Sequence, residues 1–281
     1  MNDNDMLVAI GEALIDFIPD KSGCDFDEIT AFAPKVGGAP ANVSAAYSLL
    51  GGRARMLTQL GDDGFGRRIV HRLTEVGVDT SCIPLTDKAN TALAFVTLDK
   101  NGDRSFSFYR SPSADMLYPP EAVKEEYFDK AFALHFCSVS IGDFPMREAH
   151  RRAIDIMRQK GGIISFDPNL RFNLWSSNDA LKKAVREFIP LSDIVKLSED
   201  EVEFITDKAD IEDAAHLLFE QGVKLVLCTC GSKGAYAFTE NVKAFAPAFK
   251  VEAADTTGAG DGFTGAFLWK LQKGGVDANT L

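Results

Sequence analysis

The sequence predicts an α/β domain in which helices cover both faces of a mostly parallel sheet. Short apolar runs alternate regularly with amphipathic stretches between residues 131 and 229. The apolar runs are nearly continuous, which is typical of parallel strands that are buried on both faces. Two β-rich stretches, at roughly 13–36 and 90–110, interrupt this alternation. They are too short to build a second core, so we expect a small sheet that lies as a lid over one end of the domain.

In the N-terminal half, apolar runs and the residues that end them predict the elements. Strands are predicted at 6–10, 14–18 and 55–60, and each run is followed by glycine or proline. Helices are predicted at 39–50 and 65–76, where apolar residues recur at helical spacing and a glycine follows.

The β-rich segments 91–98 and 104–109 flank Asn101-Gly102, a pair that favours the turn of a β-hairpin. Beyond this hairpin the alternation of strands and helices becomes regular. Further strands are predicted at 131–139, 163–166, 194–197 and 225–229, and further helices at 147–159, 178–188 and 211–221.

Composition and charge exclude several classes of partner. The chain has 281 residues and a formal net charge of −11. The negative charge argues against a nucleic-acid surface, because phosphate backbones are bound by dense lysine and arginine. No apolar run approaches the roughly 20 residues that span a bilayer, and the acidic N-terminus does not resemble a secretory signal. We therefore expect neither a nucleic-acid nor a membrane partner.

The five cysteines indicate a reducing compartment. Their number is odd, and their spacing suits neither a disulfide framework nor a metal site. Cys228 and Cys230 lie one residue apart in a run that we interpret as a buried strand. We interpret all five as reduced thiols, mostly in packed positions, and expect a cytoplasmic protein.

The most informative segment is the run DTTGAGD at 255–261, which an apolar stretch at helical spacing follows. Gly258, Ala259 and Gly260 let the backbone approach an anion, which would meet unpaired amides and the positive end of a helix dipole. Asp261 places a carboxylate beside this anion site. The role that we infer for it is to take the proton from a hydroxyl that attacks a phosphate. The alternative is an ordinary aspartate near a glycine-rich helix start.

A second polar cluster is predicted at the end of the sheet where ligands of open α/β sheets bind. Gly37 and Gly38 precede a helix and permit close backbone approach, and Asn42 offers both a donor and an acceptor. Asp16 lies on a predicted lid strand. A carboxylate and an amide that converge can bind neighbouring hydroxyls, as a polyol site requires. As purely structural elements, the glycines would form a turn and Asp16 would be a solvated strand residue.

Polar residues also follow the predicted strands at 163–166 and 194–197. Asp167, Asn169 and Arg171 follow the strand at 163–166. An arginine can hold a transferring phosphate with two hydrogen bonds, and an asparagine or aspartate can serve a magnesium-bound water. Ser198 and Glu201 fit a capping box at a helix start, although Glu201 could also hold Mg²⁺ indirectly.

The turn at 229–234 follows the last long strand. It could receive the ribose and phosphates of a nucleotide, or it could simply join two strands. It lacks the P-loop pattern, and no G-x-G-x-x-G follows the first strand, which argues against a nicotinamide oxidoreductase. The candidate nucleotide-binding residues are Lys196, Thr229, Gly231, Gly234, Gly258 and Gly260.

Together these motifs resemble those of the ribokinase-like (PfkB) carbohydrate kinases over nearly the whole chain. The segment GGAPAN at 37–42, with GDDGFG at 61–66, is similar to the first signature of that family. The run DTTGAGD at 255–261 is similar to the second signature. Both occur in order and at the right separation, which is a far more specific signal than either motif alone.

Within the family, the segments at 11–17, 108–117 and 167–171 look most like those of fructokinases. The resemblance implies ATP-dependent phosphorylation of D-fructose at its 6-hydroxyl. It also implies a Rossmann-like, three-layer α/β sandwich with a β-sheet lid, a requirement for Mg²⁺, a monovalent-cation site that would take K⁺, and often homodimers formed through the lids.

The resemblance also assigns roles to individual residues of this sequence. Asp261 would be the base, and Gly258, Ala259 and Gly260 would form the anion hole. The other assignments are Asp16, Gly38 and Asn42 at the sugar, Arg110 and Arg171 near the transferred phosphate, and Glu201 at the magnesium. Further candidates are Gly37 and Arg104 for the substrate, and Asn169 and Asp255 for the metal.

Two features depart from the family pattern. Many relatives have Asn-x-x-Glu where this chain has Ser198 and Glu201, so the asparagine of the magnesium network is replaced. Relatives also continue beyond the last helix with segments that wall the adenine pocket, whereas this sequence ends at Leu281. We therefore expect one ribokinase-like domain over 1–281 that is short at its C-terminus and binds adenine weakly.

The function predicted from the sequence is an ATP- and Mg²⁺-dependent sugar kinase, with fructose as the acceptor. Other acceptors that the same chemistry allows are 2-keto-3-deoxygluconate, ribose and a nucleoside, and the carboxylate of the first could pair with Arg104 or Arg110. A different class of function is a catalytically inactive sugar-binding regulator. The presence of Asp261 argues against that class.

Overall fold

The computed structural model describes residues 4–21, 23–24, 26–98, 104–251 and 256–281. The strands, in chain order, are β1 (Met6–Ile10), β2 (Leu14–Pro19), β3 (Phe32–Gly37), β4 (Arg53–Leu57), β5 (Leu60–Gly61), β6 (Val78–Asp79), β7 (Leu85–Thr86), β8 (Leu93–Leu98), β9 (Arg104–Tyr109), β10 (Ala131–Cys137), β11 (Ile163–Asp167), β12 (Ile194–Ser198), β13 (Leu225–Thr229), β14 (Gly234–Phe238) and β15 (Lys243–Pro247). The α-helices are α1 (Ala39–Leu49), α2 (Gly64–Glu75), α3 (Met146–Gln159), α4 (Asn178–Phe188), α5 (Glu199–Thr206), α6 (Ile211–Phe219) and α7 (Ala259–Lys273).

A nine-stranded sheet, in the order β15-β14-β13-β12-β11-β10-β1-β4-β6, forms the centre of the structure. The strands from β13 to β6 run parallel, whereas β14 and β15 continue the sheet in the antiparallel direction. In this register Val8 of β1 lies between Leu134 of β10 and Arg55 of β4. The predicted α/β class with a mostly parallel sheet is confirmed.

Helices cover both faces of this sheet, which makes three layers. Met6, Val8 and Ile10 of β1 pack into a core that β1 shares with α3, α4, α5 and α6. The alternate residues Leu7 and Ala9 pack into a second core, with α1, α2 and α7. Successive strand residues point to opposite faces, so a strand that is buried on both faces is apolar throughout. This explains the continuous apolar runs of the sequence.

α1 packs closely against α7. A Cβ at Gly265 of α7 would lie 2.8 Å from Ala46 Cβ and 2.8 Å from the Val43 carbonyl oxygen of α1. Only a glycine permits this approach. As a result, the first turns of α1 and α7 lie side by side at the carboxyl ends of the parallel strands.

The predicted lid is a four-stranded sheet in the order β3-β2-β8-β9. β2 pairs antiparallel with β3 and parallel with β8, and β8 pairs antiparallel with β9. One face of this sheet covers a cleft. The other face carries a cluster of aromatic rings, formed by Phe17, Phe26, Phe32, Phe95 and Tyr109. The predicted hairpin turn at Asn101-Gly102 lies outside the described residues.

The structure differs from the predicted elements mainly at the edge of the sheet. β14 and β15 are not among the predicted strands. In β14 only the two end residues are buried, and in β15 every residue is exposed, so neither strand has the apolar pattern of a buried strand. The strand predicted at 131–139 ends at Cys137 because Ser138–Ser140 form a 3-10 turn. In the described parts of the chain, no helix is both long and apolar enough to cross a membrane.

Candidate active site

A cleft lies between the lid and the carboxyl ends of the parallel strands. Residues of the lid, of the first turns of α1 and α7 and of the loop after β11 form its walls. The lining residues are Glu12, Leu14, Asp16, Gly38, Ala39, Asn42, Phe106, Phe108, Val139, Asn169, Arg171, Thr257, Gly258 and Asp261. Residues that the sequence analysis assigned separately to base, anion hole, sugar, phosphate and metal thus meet in one place.

Asp261 lies in the first turn of α7 and is tied to α1. Asn42 Nδ2 donates a hydrogen bond of 2.8 Å to Asp261 Oδ2. Gly258 caps the helix at φ 74°, a left-handed conformation that glycine adopts without strain. The helix therefore begins abruptly at the cleft, and the Asp261 carboxylate is held in one orientation at its wall.

The surroundings of Asp261 shift its acidity. Burial raises the pKa of Asp261 to about 6. The hydrogen bond from Asn42 and the positive charges of Lys196 and Arg171 lower this pKa, whereas the Asp167 carboxylate raises it. A carboxylate of this pKa is ionised at neutral pH and is a stronger base than an exposed aspartate. This suits a group that accepts a proton from an alcohol.

The start of α7 has the features of an anion site. The Ala259 amide donates to the Thr256 carbonyl and the Gly262 amide to the Gly258 carbonyl. The amides of Gly260 and Asp261 lie between them, in the turn where helix amides have no intrahelical acceptor. Because a helix start also carries a partial positive charge, we expect this turn to attract a phosphate.

The side of the cleft predicted to bind sugar is built by Asp16 and two glycines. A Cβ at Gly37 would lie 2.0 Å from Asp16 Oδ2, so the carboxylate occupies space that a side chain at position 37 would take. Gly38 has φ 101°, and a Cβ there would lie 2.5 Å from the Glu12 carbonyl oxygen. Burial raises the pKa of Asp16 to about 6, with Arg171 lowering it and Glu12 raising it.

A charged cluster lies at the ends of β11 and β12. Lys196 Nζ is 2.9 Å from Asp167 Oδ2, and both side chains are buried. A Cβ at Gly260 would lie 3.2 Å from Lys196 Nζ, so this ammonium group borders the first turn of α7. A buried positive charge thus lies beside the predicted anion hole, and the nucleotide-binding role of Lys196 stays a prediction.

Glu201 does form the predicted capping box. Its Oε2 accepts from the Ser198 amide at 2.9 Å, and its Oε1 accepts from the Leu170 amide at 2.7 Å. Burial raises the pKa of Glu201, and the Asp167 carboxylate adds to this effect. Through the Leu170 amide, Glu201 therefore fixes the loop after β11 to the start of α5.

One buried oxygen near this cluster is a candidate donor for Mg²⁺, although the described residues contain no group of three histidine, cysteine or acidic side chains that could hold a metal ion by itself. Asp167 Oδ1 is buried and has no hydrogen-bond partner among the described residues. Together with the side-chain oxygens of Asn169 and Glu201, it offers the ligands that Mg²⁺ takes alongside water and phosphate oxygens. From the sequence, Asn169 is the metal candidate of this segment, and Asp167 is the other residue there that could serve a magnesium-bound water. The metal candidate Asp255 lies outside the described residues.

Arg171 lies in the cleft at the edge of the lid. Its Nη1 donates to the Leu170 carbonyl at 2.9 Å, and its Cζ is 5.6 Å from the centre of the Phe106 ring. Within the described residues, no carboxylate pairs with this guanidinium at ion-pair distance. Arg171 therefore has donors that an anion in the cleft can use, and its role at the transferred phosphate stays a prediction.

Glu12 is a cleft residue to which the sequence analysis gave no role. Its carboxylate is buried and accepts from the Ala39 amide at 3.2 Å and from Ser140 Oγ at 2.7 Å. The Cys137 thiol also donates to it, at 3.3 Å. Burial raises the pKa of Glu12, and the positive charge of the nearby Arg110 offsets only part of this rise. Glu12 thereby joins the start of α1 to the turn after β10.

Arg110 differs from its predicted role. Its guanidinium is buried behind the cleft wall, where Nε donates to Asp115 Oδ2 at 3.0 Å. The same side chain donates to the Val139 carbonyl and to Ser140 Oγ, both at 3.0 Å. With its donors committed in this way, Arg110 supports Glu12 through Ser140 and does not face the cleft. Arg104 begins β9, and its side chain lies outside the described residues.

The turn after β13 lies apart from these cleft residues. Thr229 Oγ1 donates to the Leu197 carbonyl at 3.4 Å, and Gly231, at φ 54°, is exposed. A Cβ at Gly234 would lie 2.1 Å from the Ala246 carbonyl oxygen of β15. The need for glycine at position 234 therefore comes from strand pairing. The turn does join two strands, which was the structural alternative considered above.

A mostly parallel sheet, a small sheet over a cleft, and a carboxylate beside a glycine-rich helix start together define the architecture of a sugar kinase of the ribokinase-like class. Comparison with known proteins agrees. Residues 4–280 match the pfkB family of carbohydrate kinases. The chain belongs to this family.

Individual relatives are similar over nearly the whole chain. Probable fructokinase-5 of Arabidopsis thaliana is 42% identical over 276 residues, which are 98% of this chain and 85% of that protein. A fructokinase from Xylella fastidiosa with bound ATP has a TM-score of 0.88 at 34% identity, covering 99% of this chain and 84% of the other. A fructokinase from Vibrio cholerae O395 with fructose, ADP and calcium ion bound has a TM-score of 0.85 at 34% identity, covering 96% and 84%.

Proposed function

We propose that this protein transfers the γ-phosphoryl group of ATP to the 6-hydroxyl of D-fructose. The observation that carries this proposal is the position of Asp261. Its carboxylate lines the cleft, is oriented by Asn42 and lies in the first turn of a helix that can bind a phosphate. The similarity to fructokinases over nearly the whole chain supports fructose as the acceptor.

In the mechanism, Asp16, Gly38 and Asn42 hold the sugar so that its 6-hydroxyl reaches Asp261. The Asp261 carboxylate accepts the hydroxyl proton as the oxygen attacks the γ-phosphorus, and ADP leaves. In the anion hole at Gly258, Ala259 and Gly260, the Gly260 amide stabilises the charge on the transferred group, whereas the Ala259 amide already donates to the Thr256 carbonyl. The lid over the cleft excludes water, whose attack on ATP is the competing reaction.

Two positive side chains contribute to phosphate binding. Arg171 faces the cleft and offsets charge on the transferred group, while Lys196 borders the first turn of α7. Asp167, Asn169 and Glu201 would hold Mg²⁺ directly or through water. When bound, this ion neutralises charge on the β- and γ-phosphates.

The remaining nucleotide contacts, the monovalent cation and the compartment stay predictions. We infer that Thr229 and Gly231 lie near the nucleotide, and that K⁺ can support activity as the family resemblance implies. The absence of disulfides among the five cysteines agrees with a cytoplasmic protein.

We also infer a homodimer formed through the lids. The aromatic cluster on the outer lid face leaves Phe26 50% exposed and Tyr109 64% exposed. Both exposed rings contact Phe95, and exposed apolar patches of this kind are typical of interaction surfaces. Sedimentation equilibrium of wild type and of Tyr109→Ser tests the inference: a wild-type monomer at micromolar concentration contradicts it.

A coupled ADP-release assay over a panel of sugars tests the proposed function. The panel contains fructose, ribose, 2-keto-3-deoxygluconate and a nucleoside. We expect fructose to give the highest kcat/KM. Because Arg110 is paired with Asp115, it is not free to bind the carboxylate of a keto acid. Sugar binding by calorimetry without any ADP release would instead support the inactive regulator.

A further inference from the structure

Two residues of the loop after β11 contact the same lid residue, Phe106. Asn173 Nδ2 donates a hydrogen bond of 2.7 Å to the Phe106 carbonyl. The Arg171 guanidinium carbon lies 5.6 Å from the centre of the Phe106 ring. The loop after β11 therefore contacts Phe106 of β9 at both its backbone carbonyl and its ring.

The position of β9 in the lid explains why Phe106 is available to both contacts. β9 is the edge strand of the lid, so one side of its backbone has no neighbouring strand. Asn173 provides a donor at this edge. The Phe106 ring lies on the cleft face, where it stacks on Phe108 with the ring centres 5.7 Å apart.

The contact with Phe106 restricts the orientation of Arg171. One end of the guanidinium is fixed by the bond from Nη1 to the Leu170 carbonyl. The Phe106 ring centre lies 5.6 Å from the guanidinium carbon, and its negative π face attracts the cation and so favours this orientation. Among the described residues, no carboxylate competes for this guanidinium at ion-pair distance.

We propose that Phe106 is a positioning residue for Arg171, and that Asn173 fixes Phe106 for this task. This inference rests on the proposed function, in which Arg171 acts on the transferred phosphoryl group. Its consequence is that the lid and the phosphate-binding arginine are not independent. When β9 packs against the main domain, the Arg171 guanidinium is already oriented. Less conformational entropy is then lost on reaching the transition state.

A double-mutant cycle on kcat tests the proposal. Phe106→Leu keeps an apolar side chain but removes the π face, and we expect it to lower kcat by about three- to tenfold, the size of a partly desolvated cation–π contact. Phe106→Tyr keeps the π face and should restore kcat. Since Phe106 acts through Arg171, Phe106→Leu should have no further effect on kcat when Arg171 is already replaced, as in Arg171→Met. Additive effects, or failure of Phe106→Tyr to rescue, would overturn the proposal.

Hydrogen exchange tests the role of Asn173 without any assay of activity. We expect Asn173→Ala to speed amide exchange over 104–109 by about three- to tenfold, because the hydrogen bond that joins β9 to the loop after β11 is lost. Asn279→Ala is the matched control, since Asn279 is an exposed asparagine outside the cleft lining. Equal exchange in both variants overturns the role of Asn173. Wild type without sugar-dependent ADP release would reject the proposed function, while this measurement would still test the contact.

Discussion

Asn42 and Asp261 are separated by 219 positions in the sequence, yet Asn42 Nδ2 lies 2.8 Å from Asp261 Oδ2. The hydrogen bond joins the first turns of α1 and α7, which are the two elements that carry the family signatures. It orients the proposed base and stabilises its ionised form. Five predictions follow from this pair and from the residues around it.

Replacing the proposed base tests the mechanism directly. Asp261→Asn keeps the size of the side chain but cannot accept the proton, so we expect kcat to fall by about 10²- to 10⁴-fold. Sugar binding, measured by calorimetry, should change little. The exposed Asp155→Asn in α3 is the control and should behave as wild type. Near-normal turnover of Asp261→Asn with sugar binding intact would exclude this base.

The pH dependence of kcat should show an acidic limb near pH 6. Burial raises the pKa of both Asp261 and Asp16 to about 6, so a proton is taken up in the cleft as the pH falls through this value. Protonated Asp261 cannot act as a base, and kcat should then fall about tenfold per pH unit. Asn42→Ala removes the hydrogen bond that favours the carboxylate and should move the limb to higher pH. A flat profile between pH 5 and 8 would contradict this assignment.

Adjacent glycines should respond differently to alanine. The added Cβ of Gly37→Ala meets the terminal oxygen of Asp16, which can rotate away, so we expect the KM for sugar to rise about tenfold at nearly unchanged stability. Gly38→Ala places a side chain at φ 101° against the Glu12 backbone and should cost about 1–3 kcal/mol of stability. Thermal unfolding and steady-state kinetics of both variants separate the two effects. Equal losses of stability would show that the Asp16 side chain does not rotate away from the added methyl group.

Arg110 should matter for stability more than for phosphate binding. Its side chain is 3% exposed and that of its partner Asp115 is 1% exposed. Arg110→Met leaves a buried carboxylate unpaired, which should reduce the free energy of unfolding by about 3–5 kcal/mol. Arg171→Met, in contrast, should lower kcat and leave stability nearly unchanged. Chemical denaturation distinguishes the two; a stable Arg110→Met with impaired phosphate binding would restore the role predicted from the sequence.

Magnesium dependence should locate the metal. Asp167→Asn removes the charge of a carboxylate whose Oδ1 has no partner among the described residues. We expect the Mg²⁺ concentration for half-maximal activity to rise at least about tenfold, since hard cations depend on ligand charge. Activity of wild type should disappear with a chelator and return with added Mg²⁺. An unchanged Mg²⁺ requirement in Asp167→Asn would place the ion elsewhere.

Sequence reasoning succeeded where the signal was local. The alternation of strands and helices predicts the parallel sheet because strands that are buried on both faces must be apolar throughout. It misses β15, an edge strand whose residues are all exposed, and β14, in which only the two end residues are buried. Among the site residues, Asn42, Arg171 and Asp261 follow glycine-rich turns or a strand end. Asp16 lies within a predicted lid strand, and the structure brings all four to one cleft.

Glu12, Asp167 and Arg110 show what local signals leave open. Each is a charged residue at or near the end of an apolar strand, and sequence position alone does not say which way such a side chain points. In the structure, Glu12 and Arg110 form a buried network through Ser140, and Asp167 pairs with Lys196. Their partners come from distant parts of the chain.

The sequence by itself determined the fold class, the family and the identity of the proposed base, because apolar periodicity and glycine-rich turns act over a few neighbouring residues. Only the tertiary structure decided that Arg110 supports the wall while Arg171 faces the cleft. The physical reason is that a guanidinium binds whichever anion or carbonyl the packing places within reach, and packing brings together residues that no local pattern connects.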